Sequence, residues 1–279
     1  MGELRSLLRA ARSVLATDSA ALEAEVLLGE VLQRPRSWLY AHDRDPVTPG
    51  QEQQFLDLLR RRAEGVPLAY LLGRREFWSL MLQVSPDTLI PRPDTERLVE
   101  LALQLMPPGC SSKVVDLGTG SGAIALALAH ERPQACILAV DRSLPALRIA
   151  QANARRLGLE QVGLVQSDWG EALGLASYDL VVSNPPYLRV GDPHLCQGDL
   201  RHEPNLALQA GEDGLEAIRH IITAVPAHLC PGGWLLLEHG FEQGAAVRQL
   251  LHDRGLIEVT TELDIEQRER VSMGRVPET

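Results

Sequence analysis

Residues 113–123 read KVVDLGTGSGA, an apolar segment that runs directly into a loop with three glycines. Glycine lets the backbone turn sharply and approach a ligand closely. The alanine-rich segment after the loop predicts a helix over residues 122–131, and the free N–H groups of its first turn favour an anionic group. A strand, a glycine loop and a helix in this order are typical of α/β proteins that bind a ligand at the carboxyl end of their sheet.

From Lys113 onward, predicted strands and helices alternate with short loops between them. This alternation predicts an α/β, doubly wound and mostly parallel seven-stranded sheet with helices on both faces. No helix is predicted between the last two strands, so one of them is expected to be antiparallel. The predicted strands are 113–117, 136–140, 162–166, 178–183, 234–238, 257–263 and 270–274, and the helices are 122–131, 144–157, 215–229 and 243–254.

The sequence before this α/β part predicts two other segments. Residues 1–72 show only helical periodicity and predict a bundle of three short helices, the second capped by Asp18 and the third by Thr48-Pro49. Residues 73–109 predict a hairpin and a proline-rich linker that packs on the part formed by residues 110–279. The side chains predicted to face the bundle core are Leu4, Leu8, Ala11, Leu15, Leu22, Val26, Leu27, Val31, Phe55, Leu58 and Leu59.

Composition narrows the class of protein. The chain has 279 residues, of which 45% are apolar and 23% charged, as in ordinary globular proteins. No run approaches about 18 apolar residues, and no apolar region follows the N-terminus, so neither a membrane segment nor a signal peptide is predicted and the expected location is cytoplasmic. The four cysteines are far apart, which predicts neither a metal site nor disulfides. A net charge of −10 argues against duplex nucleic acid as a partner.

Acidic residues lie at the ends of the first three predicted strands: Asp116 is within the last two residues of the first, and Asp141 and Asp168 follow the second and the third. Asp141 lies 23 residues after Gly118 and can accept hydrogen bonds from both hydroxyls of a ribose. The spacing Gly118-x-Gly120-x-x-Ala123 also satisfies the dinucleotide fingerprint, so NAD remains a competing prediction. Two further features favour S-adenosylmethionine. Asp116 is placed to bind the methionyl ammonium, and Asp168 with Trp169 to bind and border the adenine.

The fourth strand of the sheet ends in SNPPY, residues 183–187. Proline donates no backbone hydrogen bond, so the proline pair stiffens this segment and leaves carbonyls free to face a cleft. The side-chain oxygen of Asn184 and the carbonyl of Pro185 can accept both hydrogens of a planar –NH2 group, and Tyr187 can stack on it. The nitrogen of such a group is a poor nucleophile, so its reaction depends on how it is held. Because the motif can hold the –NH2 group by both hydrogens, it predicts methyl transfer to a planar nitrogen, catalysed mainly by positioning and without an acid, base or metal.

Together, the glycine loop and the NPPY motif resemble class I methyltransferases that act on exocyclic or amide nitrogens. Further stretches are similar to the release-factor glutamine methyltransferases (HemK/PrmC family), and the resemblance extends over essentially the whole chain, bundle included. Those stretches are PLAYLLG at 67–73, EF at 76–77, LIPRPDTE at 89–96, RHEP at 201–204, AL at 207–208, DGL at 213–215 and LLEHG at 236–240.

This resemblance implies a substrate and a set of site residues. The substrate is the glutamine in the Gly-Gly-Gln motif of class-1 peptide chain release factors, methylated on its side-chain nitrogen, N5. Asn184, Pro185, Pro186 and Tyr187 are implied to bind the glutamine amide. The implied contacts to S-adenosylmethionine come from Gly118, Thr119, Gly120, Ser121, Gly122, Asp141, Trp169 and Asn184.

Several alternatives stay open at this point. A sister family that methylates a glutamine of a ribosomal protein shares the NPPY motif but departs after the LIPR stretch. A nucleic-acid adenine or guanine methyltransferase is disfavoured by the acidic charge and by the lack of a basic or aromatic-rich recognition domain. An NAD-dependent oxidoreductase would need a hydride-handling acid or base near Asn184. A binding module without enzymatic activity would not account for the presence of both the glycine loop and the NPPY motif. We expect a monomer, whose N-terminal bundle either docks the substrate or only stabilises the fold.

Overall fold

The computed structural model describes residues 3–175 and 177–278. The chain divides into two compact units. The first comprises Met1–Gly73 together with Gln197–His202, and the second comprises Arg74–Cys196 and Glu203–Thr279. Residues 74–109, predicted as a linker, therefore belong to the second unit.

The described residues of the first unit form five α-helices, where the sequence predicted three helices. They are α1 (Leu4–Val14), α2 (Ala20–Leu32), α3 (Arg36–Ala41), α4 (Pro49–Ala63) and α5 (Leu68–Leu72). The helices α3 and α5 have only six and five residues, too few to show a helical period in the sequence. The predicted capping of α4 is confirmed, since Thr48 forms a capping box with Gln51.

The predicted inward face of α2 was partly wrong. Leu27 is buried, but Leu22 is 43% exposed, and Val26 and Val31 are only half-buried. The helix instead turns two acidic side chains, Glu23 and Glu25, into the unit. The residue that precedes α2 is Ser19 rather than Asp18. Leu8 of α1 is likewise only half-buried, and Leu7 takes its predicted place in the core.

Basic side chains pair with both buried glutamates. Arg62 donates to Glu23 from Nε at 2.8 Å and from Nη2 at 3.1 Å. Glu25 accepts from Arg36 Nη2 at 2.7 Å and from the Tyr40 hydroxyl at 2.8 Å. Burial alone would raise the pKa of each glutamate, but these hydrogen bonds and positive charges prevail and lower it. Both buried glutamates of this unit are therefore paired with basic side chains.

Glu23→Gln is expected to destabilise the protein by about 2–3 kcal/mol, because it leaves the buried Arg62 guanidinium with weaker compensation. Since the folded-state pKa of Glu23 is lowered, its contribution is present above the unfolded value near 4.5 and is lost as the pH falls through the folded value. Urea unfolding at pH 7 and at pH 3 measures both effects. Glu64→Gln is the control, since that side chain is 61% exposed and lies 4.0 Å from Arg60. Equal losses in the two variants at pH 7 would contradict the expectation.

The second unit contains a two-stranded hairpin and a seven-stranded sheet. The hairpin pairs β1 (Arg74–Phe77) with β2 (Leu80–Gln83). In the sheet the strand order is β5-β4-β3-β6-β7-β9-β8, and β9 runs antiparallel to both of its neighbours, β7 and β8. Its strands are β3 (Lys113–Leu117), β4 (Cys136–Asp141), β5 (Gly163–Gln166), β6 (Tyr178–Ser183), β7 (Leu229–Glu238), β8 (Ile257–Leu263) and β9 (Glu269–Arg275).

Helices cover this sheet, and the predicted doubly wound fold is confirmed. The helices are α6 (Glu96–Leu105), α7 (Ala123–Glu131), α8 (Leu144–Leu157), α9 (Glu216–Ala224) and α10 (Gly244–Asp253). The central strands are buried on both faces, so Val114, Val115, Val181 and Val182 are all fully buried. Burial on both faces accounts for their continuous apolar sequences. None of the helices in the described part of the chain is long and apolar enough to cross a membrane.

The topology places two loops side by side. From β3 the chain proceeds to β4 and β5 on one side, and then returns to β6 on the other side of β3. Leu117 at the end of β3 pairs with Ser183 at the end of β6. The glycine loop and the NPPY loop therefore start at adjacent carboxyl ends, where open α/β sheets bind ligands.

Candidate active site

A cavity of about 390 Å³ lies at these carboxyl ends. The Ser183 hydroxyl donates to the Leu117 carbonyl at 2.7 Å and ties the two strand ends together. The cavity brings together residues from four strand ends, as the sequence predicted. Among the predicted site residues, its lining includes Gly118, Gly120, Asp141, Asp168, Trp169, Asn184 and Pro186.

The three glycines of the loop are needed for its shape. Gly118, Gly120 and Gly122 have φ values of 72°, 56° and 85°, in the left-handed region that favours glycine. At Gly122 a Cβ would also lie 3.0 Å from the side chain of Leu126. Thr119 and Ser121 alternate with the glycines and are buried. The Thr119 hydroxyl donates to Asp116 Oδ2 at 2.6 Å and so supports the loop from below. The cofactor contacts of Thr119 and Ser121 stay predictions.

Asp116 lies beneath the loop, fully buried. Its Oδ2 accepts from the Thr119 hydroxyl at 2.6 Å and from the Ala125 N–H at 3.2 Å. Its Oδ1 has no hydrogen-bond partner among the described residues. Burial raises the pKa of Asp116 to about 7, and these hydrogen bonds oppose the rise. The predicted contact of Asp116 with an ammonium group stays a prediction. Its hydrogen bonds to Thr119 and Ala125 hold the loop and the start of α7 in place.

Asp141 ends β4 and lines the cavity. Its Oδ2 accepts from the Gly120 N–H at 2.9 Å, and its Oδ1 accepts from the Ser143 N–H at 2.8 Å. Burial raises the pKa of Asp141, and both backbone donors counteract this rise. A carboxylate has about four lone-pair sites, so Asp141 can brace the loop and still accept from a ligand.

Two ring side chains, Trp169 and His220, line part of the cavity wall. Trp169 adopts φ 45°, and a Cβ added at Gly118 would lie 3.7 Å from its ring. The ring therefore borders the glycine loop. His220 of α9 lines the same wall, with its ring centroid 6.5 Å from that of Trp169. His220 and Arg142 were missed by sequence reasoning. Arg142 directly follows the predicted Asp141, whereas nothing in the sequence points to His220.

The NPPY loop also lines the cavity, through Asn184 and Pro186. Asn184 is half-buried, and its Nδ2 donates to the Thr95 hydroxyl at 3.0 Å. Its Oδ1 is thus the end of the amide left to accept from a ligand. Pro185 is buried, and Pro186 lines the cavity. The Tyr187 carbonyl accepts from Gln243 Nε2 at 3.0 Å, which fixes the end of the motif.

A buried polar cluster lies behind this loop. Burial raises the pKa of Glu238 to about 7, and the neighbouring Thr95 and Tyr187 and the charge of Arg270 oppose this rise. Arg270 pairs with Asp264 at 3.0 Å and with Asp94 at 3.4 Å. Burial and the nearby Glu238 charge also raise the pKa of Tyr187.

The motif 89–96 is anchored in the same region, because Arg92 and the Ile90 N–H both bind Glu203. In the sequence, Asp94, Thr95 and Glu238 were recognised only as parts of the stretches 89–96 and 236–240, and no role was predicted for them. The part of the chain that the structure describes contains no group of three or more His, Cys, Asp or Glu side chains placed to hold a metal ion.

Comparisons with known proteins bear on the fold and the family of the chain. Residues 6–73 match the family model of the PrmC N-terminal domain, and residues 97–196 match the methyltransferase small domain. The hMettl16 catalytic domain, solved in complex with the MAT2A 3'UTR hairpin 1, superposes with a TM-score of 0.59 at 19% identity. It covers 79% of this chain and 80% of its own, and at that identity it shows the fold alone.

Curated relatives narrow the family further. The release factor glutamine methyltransferase of Xylella fastidiosa (strain Temecula1) is 54% identical over 92% of this chain and 93% of its own. The release factor glutamine methyltransferase of Escherichia coli (strain K12) is 49% identical over 98% of this chain and 99% of its own. Identity of this order over nearly the full length decides the matter: the chain belongs to the family of release factor glutamine methyltransferases.

Proposed function

We propose that the chain transfers a methyl group from S-adenosylmethionine to the side-chain nitrogen, N5, of the glutamine in the Gly-Gly-Gln motif of class-1 peptide chain release factors. The observation that carries this proposal is the geometry of Asn184. Its Nδ2 is held by Thr95, and its Oδ1 is left as an acceptor at a cavity wall shared with the glycine loop. The names of the relatives, release factor glutamine methyltransferases, support the choice of a release-factor glutamine over a nucleobase.

The residues of the cavity fit the cofactor that this function requires. The backbone of residues 118–122 would hold the methionyl part, with Asp116 beneath it. Asp141 would accept from the ribose hydroxyls, and Asp168 with Trp169 would bind the adenine. Two observations fit these roles: the ring of Trp169 borders the glycine loop, and Asp141 has lone pairs left to accept from the ribose hydroxyls. When bound, S-adenosylmethionine supplies an electrophilic methyl group.

The protein's own part in the reaction is to position the acceptor nitrogen. Asn184 Oδ1 and the Pro185 carbonyl accept the two N–H groups of the glutamine amide, while the ring of Tyr187 lies against its plane. Two acceptors on the N–H bonds favour a pyramidal nitrogen with an available lone pair. These interactions strengthen as the new N–C bond forms, so they lower the barrier rather than only bind the substrate. The methylated nitrogen is strongly acidic and loses its extra proton without a dedicated base.

The test is transfer of tritiated methyl groups to separate acceptors. Purified class-1 release factor, a glutamine-containing ribosomal protein, DNA and ribosomal RNA are each incubated with the enzyme and labelled S-adenosylmethionine. We expect label in the release factor, and its loss when the motif glutamine is replaced by alanine. Label in DNA, in RNA or in the ribosomal protein at a comparable rate would contradict the proposal.

We further infer that the N-terminal bundle docks the release factor. The Gly-Gly-Gln loop alone is small, so remote contacts should supply most of the binding energy. Deletion of residues 1–64 is expected to raise the Michaelis constant for release factor at least about tenfold, a loss of roughly 1.4 kcal/mol of binding. Affinity for S-adenosylhomocysteine, measured by calorimetry, should change little and so reports that the catalytic part has folded. An unchanged Michaelis constant in a folded variant would leave the bundle with a stabilising role only.

A further inference from the structure

The side-chain amide of Asn184 has two ends with opposite chemistry. Its Oδ1 only accepts hydrogen bonds, and its Nδ2 only donates them. The two orientations of the amide have nearly the same shape, so packing alone does not choose between them. A substrate –NH2 group needs the oxygen. Whatever holds Nδ2 away from the substrate therefore sets the activity of the site.

In the structure the group that holds Nδ2 is the hydroxyl of Thr95, at 3.0 Å. Thr95 ends a short 3-10 turn, Pro93–Thr95, and is only 4% exposed. Its own N–H donates to the Arg92 carbonyl at 3.2 Å, which fixes the backbone at this point. A hydroxyl is both a donor and an acceptor, so Thr95 by itself is able to bind either end of the Asn184 amide.

The carboxyl of Glu238 removes this ambiguity. Glu238 is 1% exposed, and its Oε2 has no hydrogen-bond partner among the described residues, while Thr95 and Tyr187 lie close enough to the carboxyl to lower its pKa. An ionised carboxyl only accepts, so any hydrogen bond between these two groups must use the proton of Thr95. The Thr95 oxygen then has only lone pairs left for Asn184, and it selects the Nδ2 end.

We infer that Thr95, oriented by Glu238, is a positioning residue that keeps the side-chain oxygen of Asn184 directed at the substrate amide. The role of Thr95 rests on the proposed role of Asn184 in binding that amide. Glu238, Thr95 and Asn184 then form a relay: each residue sets the orientation of the next, from the buried carboxyl to the group that binds the substrate amide.

Ionisation of Glu238 should control this relay. The groups that interact with it are Thr95 and Asp94 of the turn, Tyr187 of the NPPY loop and Arg270 of β9. Burial raises its pKa to about 7, and the Arg270 charge opposes the rise. A protonated Glu238 is able to donate to Thr95, whose proton is then free to bind Asn184 Oδ1 and turn the amide. The turnover number, kcat, should therefore rise with pH through about 7 and then level off.

The first part of the test replaces Thr95 in the full-length enzyme. Thr95→Val keeps the shape without the hydroxyl, and we expect kcat at saturating substrates to fall at least about tenfold. Thr95→Ser restores the hydroxyl and should recover most of kcat. The affinity for S-adenosylhomocysteine, measured by calorimetry, should stay within about twofold in both variants, because Thr95 has no proposed role at the cofactor. Normal kcat in a folded Thr95→Val enzyme would overturn the inference.

The second part uses Glu238→Gln, which imitates the protonated carboxyl. We expect a reduced kcat that no longer rises through pH 7. In a double-mutant cycle the effect of Glu238→Gln should vanish in the Thr95→Val background, because Glu238 acts through Thr95. It should persist in the Tyr187→Phe background. The opposite pattern, with coupling to Tyr187 and additivity with Thr95, would overturn the inference.

The third readout does not depend on activity. The side-chain amide protons of Asn184, assigned by their absence in Asn184→Ala, should exchange slowly in the wild type and faster in Thr95→Val. Equal exchange would show that Thr95 does not hold Nδ2. If Thr95→Val fails to fold, Thr95→Ser and the pH profile of Glu238→Gln decide. Activity retained in Asn184→Ala would remove the proposed role of Asn184 itself, which separates that failure from a failure confined to Thr95.

Discussion

Asn184→Ala is expected to reduce the rate of methyl transfer to release factor by a factor on the order of 10²–10³. Removal of a single hydrogen-bonding group that acts on the reacting centre has an effect of this size in other enzymes. The variant lacks one of the two acceptors that orient the glutamine amide. It also loses the donor to Thr95, at 3.0 Å, but no cavity forms in a fully buried core because Asn184 is half-buried. S-adenosylhomocysteine should still bind, as measured by calorimetry.

Two further substitutions sharpen this expectation. Asn184→Asp keeps the shape and supplies acceptor oxygens, so we expect it to retain more activity than the alanine variant. Asn205→Ala is the matched control, since Asn205 is exposed and lies outside the NPPY loop. It should leave turnover within about twofold of the wild type. An Asn184→Ala enzyme with near-normal turnover would contradict the acceptor role.

Asp141→Ala is expected to weaken cofactor binding by roughly 2–4 kcal/mol, a loss that corresponds to charge-assisted hydrogen bonds to the ribose. Both carboxylate oxygens already accept from the backbone, at Gly120 and at Ser143. The substitution therefore also releases the glycine loop from the start of α8. Calorimetric titration with S-adenosylhomocysteine measures the change in affinity.

The control for Asp141 is another acidic residue of the same sheet. Asp179 is exposed and accepts from the Lys113 N–H at 2.8 Å, at the opposite end of β3 from the cavity. Asp179→Ala should leave the affinity for S-adenosylhomocysteine unchanged. A dissociation constant unaffected by Asp141→Ala would show that this carboxylate does not contact the cofactor.

Much of the α/β fold was predictable from the sequence, for a physical reason. Strands buried on both faces require continuous apolar residues, and helices that cover them require a 3.6-residue period. The predicted strands 113–117, 178–183 and 257–263 have the bounds found in the structure. The adjacent ends of β3 and β6 then follow from the parallel topology, which placed the glycine loop beside NPPY.

The contacts behind the NPPY loop were not predictable. Thr95, Asn184, Glu238 and Arg270 are widely separated in sequence and meet only through tertiary packing. Each of them taken alone is an ordinary polar residue. Similarly, nothing in α2 marks Glu23 as buried, because its partner Arg62 lies on another helix 39 positions away. Periodicity treats a charged residue as a surface residue, and a buried ion pair violates that rule.

The most direct test of the central claim is fragmentation mass spectrometry of release factor after incubation with this enzyme and S-adenosylmethionine. We expect one added methyl group per release factor, located on the side chain of the glutamine in the Gly-Gly-Gln motif and absent when the enzyme carries Asn184→Ala. A methyl group on another residue, or a release factor that stays unmodified while the active enzyme methylates a nucleobase, would contradict the account.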